Sequence, residues 1–330
     1  MIEKRRIGKT QTQVTKLGFG GAPLGAVGDR LTEADASAIV HRAREGGIRY
    51  FDTAPLYGHG LSERRLGAAL AALPRDEFTL SSKVGRLLVP AAEGERYAGM
   101  RDAEPFAIRY DYSYDGVRRS VDASLTRLGL DRIDIALCHD IDVWTHGDAQ
   151  PGIFDAAVQG ALPALCELRD QGVVRAVGLG VNEWQVCSEV MDRFEVDCFL
   201  LAGRFTLLEQ EPLDSFLPKC VERGVSIIIG GPYNSGILAT DDRRRATYDY
   251  KPSSDELYDK AQAIRRTVEG HGVDPRAAAL QYPLRHPAVA AVIPGMWAHA
   301  EVEQNLGFID TSIPDALWQE LAEQGLARSW

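Results

Sequence analysis

Short apolar runs rich in β-branched and aromatic residues alternate along this chain with longer stretches whose apolar positions recur at three- and four-residue spacing. The short runs read as strands: VTKLGFGG from Val14, IRYFDTA from Ile48, FTLSSKV from Phe78, IDIALCHD from Ile133, VVRAVGLG from Val173, CFLLAG from Cys198, VSIIIGG from Val225 and VAAVIPG from Val289. The longer stretches read as helices: EADASAIVHRAREGG, SERRLGAALAAL, YDGVRRSVDASLTRLGL, FDAAVQGALPALCELRDQG, EWQVCSEVMDRF, LDSFLPKCVERG, SDELYDKAQAIRRTVEGHG, and a last one from near Ala298. Gly46-Gly47, Gly129, Gly172 and Gly224 stand where helices stop before the next strand.

Eight strand–helix units without a break in composition predict one α/β domain over residues 1–330, a (β/α)8 TIM barrel. An open doubly wound sheet is the competing arrangement. The turn-rich RRIGKTQTQVTKL predicts a short N-terminal β-hairpin ahead of the first barrel strand. In such a barrel the chemistry lies just past the C-terminal ends of the strands.

A net charge of −10 argues against nucleic acid or an anionic membrane as partner, and the basic stretch DDRRR (241–245) reads as a solvated loop. No 18-residue apolar run predicts a membrane span, and the N-terminus lacks the apolar core of a signal peptide. Cys138, Cys166, Cys187, Cys198 and Cys220 show no CxxC spacing, which fits reduced thiols and a cytoplasmic protein. The partner expected is a small-molecule substrate; oligomeric state is not legible. The stretch HDIDVWTH, with His139, Asp140, Asp142 and His146, lacks a spacing that holds both histidines on one face, so no metal site is expected.

GFGGAPLG (18–25) is not a dinucleotide fingerprint, because Pro23 occupies a required glycine position. It reads as a tight loop that brings backbone at Gly21 near a ligand.

Four titratable groups fall at the mouths of adjacent strands: Asp52, with Tyr57 five residues later, then Lys83 and His139. A tyrosine ionises near pH 10, and an adjacent ammonium lowers that value. A buried lysine needs a carboxylate. The set reads as a general acid/base acting on a carbonyl or alcohol: Tyr57 moves the proton, Lys83 tunes it, Asp52 holds Lys83, and His139 orients the substrate.

In YFDTAPLYG, SSKVG, DIALCHD, GPYNSGIL (231–238) and IPGMWAHAEVEQN (293–305) the sequence resembles the aldo-keto reductase family over essentially its whole length. The resemblance implies a barrel that binds an extended nicotinamide cofactor without a Rossmann domain, with hydride passing between nicotinamide and substrate. It implies cofactor contacts from Gly21, Asp52, Asn182, Gly231, Pro232, Asn234, Gly236, Leu238, Pro294, Gly295, Glu301 and Asn305.

Three departures from the family pattern stand out. Gly180 replaces a usual serine beside Asn182, so the carboxamide role falls to a displaced asparagine. Gly230 stands where a tyrosine usually stacks on the nicotinamide, so either another aromatic, such as Phe205, covers the ring or the ring is held differently. Glu301 and Gly295 occupy positions where members preferring the phosphorylated cofactor carry cations. A carboxylate repels a 2′-phosphate and accepts from a ribose diol, so NAD is expected, with NADP as the alternative. NAD preference favours oxidation, in which Tyr57 accepts the proton.

The wording is most similar to the aldose 1-dehydrogenase branch (L-fucose, L-galactose and D-threo-aldose types), with pyridoxal 4-dehydrogenase as its neighbour; both oxidise a cyclic hemiacetal to a lactone. A cofactor-binding regulatory subunit is the reading from another class. The long segment after the third strand predicts a substrate lid, with Phe106, Tyr112 and Tyr114 as aromatic candidates and Trp144 in the next loop; Tyr57 and His139 complete the expected substrate contacts.

Overall fold

The computed structural model describes residues 1–25, 31–92 and 103–330. The N-terminal hairpin forms as expected, from β1 (Lys4–Arg6) and β2 (Gln13–Thr15), with Lys4 opposite Thr15. It takes Val14 and Thr15 out of the expected first barrel strand, which is therefore short: β3 is Phe19–Gly20. The parallel barrel strands continue with β4 (Tyr50–Asp52), β5 (Thr79–Val84), β8 (Ile135–His139), β9 (Ala176–Val181), β10 (Cys198–Ala202), β11 (Ser226–Gly230) and β14 (Val289–Ile293). Two small hairpins interrupt the rhythm: β6 (Arg86–Pro90) with β7 (Phe106–Tyr110), and β12 (Thr247–Tyr248) with β13 (Lys251–Pro252).

The sheet closes on itself. Gly18 N donates to Val292 O at 2.9 Å, Val292 N to Lys16 O at 2.8 Å, and Gly20 N to Pro294 O at 3.1 Å. Those bonds leave no open edge between the first and last strands, so the fold is a TIM barrel and not an open sheet.

Alternation along each strand decides what faces the axis. Tyr50, Ile135, Leu137, Cys198, Leu200, Ile228, Ala291 and Ile293 form one buried cluster inside the barrel, and Ile7 and Val14 of the hairpin join it. Their neighbours, such as Phe51, Phe199 and Ile229, face outward into the helix layer. Two residues beyond Tyr50 is Asp52; two beyond Leu137 is His139. The strand period thus carries both polar groups to the inner face at the C-terminal rim.

Most expected helices appear, including Glu33–Glu45, Tyr114–Leu128, Trp184–Met191, Phe216–Arg223, Asp255–Gly270 and His299–Asp310. Gly47, Gly129, Gly172 and Gly224 adopt positive φ, the left-handed stop that ends a helix. The FDAAVQGALPALCELRDQG pattern is broken by a wide π-helical turn at Ala157–Ala161, where Gly160 lies against the backbone of Tyr112 and Ser113. The helices Pro275–Gln281 and Asp315–Glu323 were not expected. The expected lid segment, 85–116, contains the β6–β7 hairpin and runs into the helix Tyr114–Leu128; its residues 93–102 lie outside the described residues. All five cysteines are free thiols. Among the described residues no helix is long and apolar enough to cross a membrane, and no cluster of His, Cys, Asp and Glu is placed to hold a metal ion.

Candidate active site

Register brings Asp52 and Lys83 together: β4 and β5 pair with Asp52 opposite Ser81, two residues before Lys83. Lys83 Nζ donates to both carboxylate oxygens of Asp52, at 3.0 and 2.8 Å, and to the Thr53 carbonyl at 2.9 Å. Three acceptors thus match the three ammonium hydrogens of a side chain that is 1% exposed. Ser81 Oγ adds a 2.6 Å bond to Asp52 Oδ1, and Tyr50 and Ser81 share a further one at 2.9 Å. This network fixes a buried ion pair whose desolvation is otherwise costly.

The loop after β4 delivers Tyr57. Its amide closes a turn onto Ala54 O at 3.1 Å, and Gly58, His59 and Gly60 follow with φ of 64°, 52° and 97° before the helix Leu61–Leu70. Gly25 packs so closely that a Cβ there would lie 2.3 Å from the Tyr57 carbonyl carbon. The GFGGAPLG loop therefore serves Tyr57 through packing. Gly21 is explained likewise, since its Cβ would meet Asp52 O at 2.4 Å; the observed contact is to backbone.

Tyr57 stands over the ion pair, its ring centre 5.1 Å from Lys83 Nζ and 6.5 Å from the His139 ring, edge to face at 88°. The four groups converge as expected. The Tyr57 phenol is pushed well above its ordinary value, first by desolvation in the barrel mouth and then by the Asp52 charge, with Arg86 opposing. Burial, then the Arg86 and Lys83 charges, push His139 well below the usual imidazole value, so the ring is neutral at pH 7.

A second buried pair lies beside the first. Arg86 donates to Asp140 Oδ2, and the same oxygen lies 3.3 Å from His139 Nε2. Asn182 Nδ2 reaches Asp140 Oδ1 at 3.2 Å. Asp140 has φ 46°, unusual for a non-glycine residue, and its carbonyl accepts from Tyr112 OH at 3.0 Å and His146 Nε2 at 2.8 Å. Burial raises the Asp140 carboxyl to about 6 despite Arg86. His139 Nδ1 is buried with no partner among the described residues. Sequence reasoning missed Arg86 and Asp140. The signal was present in SSKVGR: Gly85, at φ 99°, turns the chain so that Arg86 follows Lys83 at the rim.

Several expected contacts are placed elsewhere. Tyr112 is buried and its hydroxyl donates to the His139 and Asp140 carbonyls, so it braces the backbone below the site instead of facing a substrate. Tyr114 bonds Glu167, and Phe106 lies in β7, its carbonyl bonded to His59. Trp144 is half exposed at the rim. Phe205 is fully buried among Tyr282, His286 and Trp330, which corrects its reading as a cover for the nicotinamide. Asn182 hydrogen-bonds Asp140 and Asp142. At Gly180 a Cβ would lie 3.2 Å from Lys83 Cε, so the glycine leaves room for that side chain.

Along the rim of β11 and β14 the backbone is suited to an extended anionic ligand. Gly231 and Gly236 have φ of 57° and 107°, and a Cβ at either would have no heavy atom nearer than 3.9 Å. Asn234 and Ser235 between them are also left-handed, and buried Asn234 anchors the loop through Gly203 O and Thr206 Oγ1. Such turned backbone forms anion nests. Pro232, Leu238 and Pro294 are buried around it, and Gly295 is exposed at the mouth of β14. Asn305 is buried and bonded to Tyr233 OH and Glu301 O, while Glu301 accepts from Trp297 N at 2.6 Å.

A sequence model of the Aldo/keto reductase family matches residues 16–324. The chain belongs to that family. This aldo-keto reductase is 38% identical to pyridoxal 4-dehydrogenase of Microbacterium luteolum, with 98% of each chain covered. It is also 38% identical to D-threo-aldose 1-dehydrogenase of a Pseudomonas species, covering 95% of this chain and 94% of the other. An aldo-keto reductase of Bacillus halodurans in its holo form superposes with a TM-score of 0.78 at 26% identity, covering 100% of this chain and 98% of that one. The protein is accordingly an oxidoreductase, of a family that uses NAD(P)H. The open, left-handed glycine loop fits that cofactor.

Proposed function

We propose that this aldo-keto reductase oxidises the hemiacetal carbon of an aldose of the L-fucose, L-galactose or D-threo-aldose type to a lactone, with NAD as hydride acceptor. The observation that carries the reading is Tyr57 poised over the buried Lys83–Asp52 pair and edge-on to a neutral His139. Bound nicotinamide supplies the site that takes the hydride from the substrate carbon. His139 orients the substrate hydroxyl, and the Tyr57 oxygen takes its proton as the carbonyl forms. Because the free phenol is held high, Tyr57 is protonated at neutral pH, and its base form grows as the pH rises. Gly231, Pro232, Asn234, Gly236 and Leu238 would hold the pyrophosphate, with Gly295, Glu301 and Asn305 at the adenosine end.

Pyridoxal is the second substrate considered, because a relative named for it is as similar as one named for an aldose. Both form cyclic hemiacetals. The test is the absorbance of reduced nicotinamide when the enzyme, NAD and each of a panel of aldoses or pyridoxal are mixed. Turnover of an aldose supports the proposal, and turnover of pyridoxal alone moves the enzyme to the neighbouring activity. Tight cofactor binding with no turnover sinks both and favours a regulatory subunit.

A further inference from the structure

The connection between β11 and β14 carries the β12–β13 hairpin, whose two-residue turn is Asp249-Tyr250. Both residues are left-handed, at φ 48° and 61°. Consecutive left-handed residues suit a tight hairpin, but asparagine and glycine normally take them, and a tyrosine there is strained. The surrounding contacts hold it. Arg204 donates to both Asp249 carboxylate oxygens at 3.0 Å, Tyr250 N donates to Ser235 Oγ at 3.3 Å, and Tyr248 OH to Glu209 at 2.7 Å. The side chain so presented is 78% exposed.

The hairpin's direction is readable from what it touches. It leaves the seventh barrel strand, yet Tyr248, Asp249, Lys251 and Leu257 share a cavity of about 440 Å³ with Trp144, which follows the fourth strand. The hairpin thus reaches at the rim from the seventh strand to the loop after the fourth, which also carries His139 and Asp140 at its start. In keeping with that position, Tyr250 lies within electrostatic reach of both Tyr57 and Asp140.

We propose that Tyr250 is a specificity-determining substrate contact. Its ring roofs the space above Tyr57, on the side where Trp144 stands, and the Arg204–Asp249 clamp keeps it there. The ligand class this favours is a ring with one apolar face, as a cyclic hemiacetal has: the C–H face lies on the aromatic ring while its hydroxyls turn to Asp140 and His139. A tyrosine held in this strained turn by surrounding contacts, where glycine or asparagine would serve folding better, motivates the assignment. The inference rests on Tyr57 as the proton-transfer residue.

The test compares wild type with Tyr250→Ala, Tyr250→Phe and Arg204→Gln. Steady-state kinetics are measured with the aldose panel and pyridoxal, NAD affinity by fluorescence, and binding of the same compounds to the enzyme–NAD complex by calorimetry. Tyr250→Ala is expected to raise KM and the calorimetric Kd for ring substrates by about tenfold or more, with NAD affinity unchanged. Tyr250→Phe retains the stacking ring and is expected to stay within about threefold of wild type. Arg204→Gln is expected to shift KM in the same direction by loosening the clamp. Unchanged KM and Kd in Tyr250→Ala would overturn the inference, as would weakened NAD binding with unchanged substrate KM, which would place Tyr250 on the cofactor. If wild type binds a panel compound without turning it over, the dehydrogenase reading fails while the calorimetric comparison still decides the role of Tyr250; if it binds none, both fall.

Discussion

The Asp140 carboxylate lies 3.3 Å from Nε2 of its chain neighbour His139, carried by a backbone turned left-handed at φ 46°. Adjacent residues in an extended strand point to opposite sides, so this contact exists only because the chain turns over at the strand end. The turn lets Asp140 bond Arg86 and Asn182 and fix the histidine ring at once.

This arrangement makes a pH prediction. The Asp140 carboxyl, raised to about 6 in the folded protein, binds its proton more tightly than in the unfolded chain. Its contribution to stability is therefore complete below about pH 4 and lost as the pH rises through about 6. Asp140→Asn shares every other carboxylate and serves as the reference. In urea titrations, wild type should lose more stability than the variant between pH 4 and pH 7; parallel curves would contradict the assignment.

Tyr57→Phe removes only the phenolic oxygen. Turnover should fall by about 10²- to 10⁴-fold with NAD affinity unchanged, as read by kinetics and fluorescence titration. Since the wild-type phenol is raised, kcat/KM for oxidation should climb on the alkaline side of neutrality. Wild-type activity in the variant, or a profile falling above pH 7, would remove Tyr57 from proton transfer.

The Lys83–Asp52 pair is buried and fully bonded, so breaking one side leaves a charge without compensation. Lys83→Met should lower unfolding free energy by about 3 kcal/mol, measured in urea, and the double variant with Asp52→Asn should recover part of the loss. A double variant no better than the sum of its parts would show that the two do not act as a unit.

Glu301 carries the cofactor prediction. Its carboxylate receives Trp297 N, a bond that glutamine can keep. Glu301→Gln should therefore preserve the fold while raising kcat/KM with NADP relative to NAD by about tenfold, the effect of removing one anion near a phosphate. A wild-type preference for NADP would reverse the assignment.

Local pattern made much of this protein legible. The two-residue period of YFD and IALCH places Asp52 and His139 on the inner face, and the spacing to Tyr57 and Lys83 is readable directly. Helix-ending glycines and the opening hairpin are equally local, because they answer backbone needs met within a few residues. Closure of the sheet, by contrast, depends on residues 16–20 meeting residues 292–294, and the chain alone suggested an open sheet as well. Tertiary structure likewise decided that Phe205 and Tyr112 are buried supports, that Arg86 meets Asp140, and that Tyr57 is surrounded by matched charges. The physical reason is common to all of these. Side-chain direction along a strand repeats with the backbone, whereas burial, charge matching and the reach of a hairpin such as Asp249-Tyr250 depend on which distant segments share the barrel mouth.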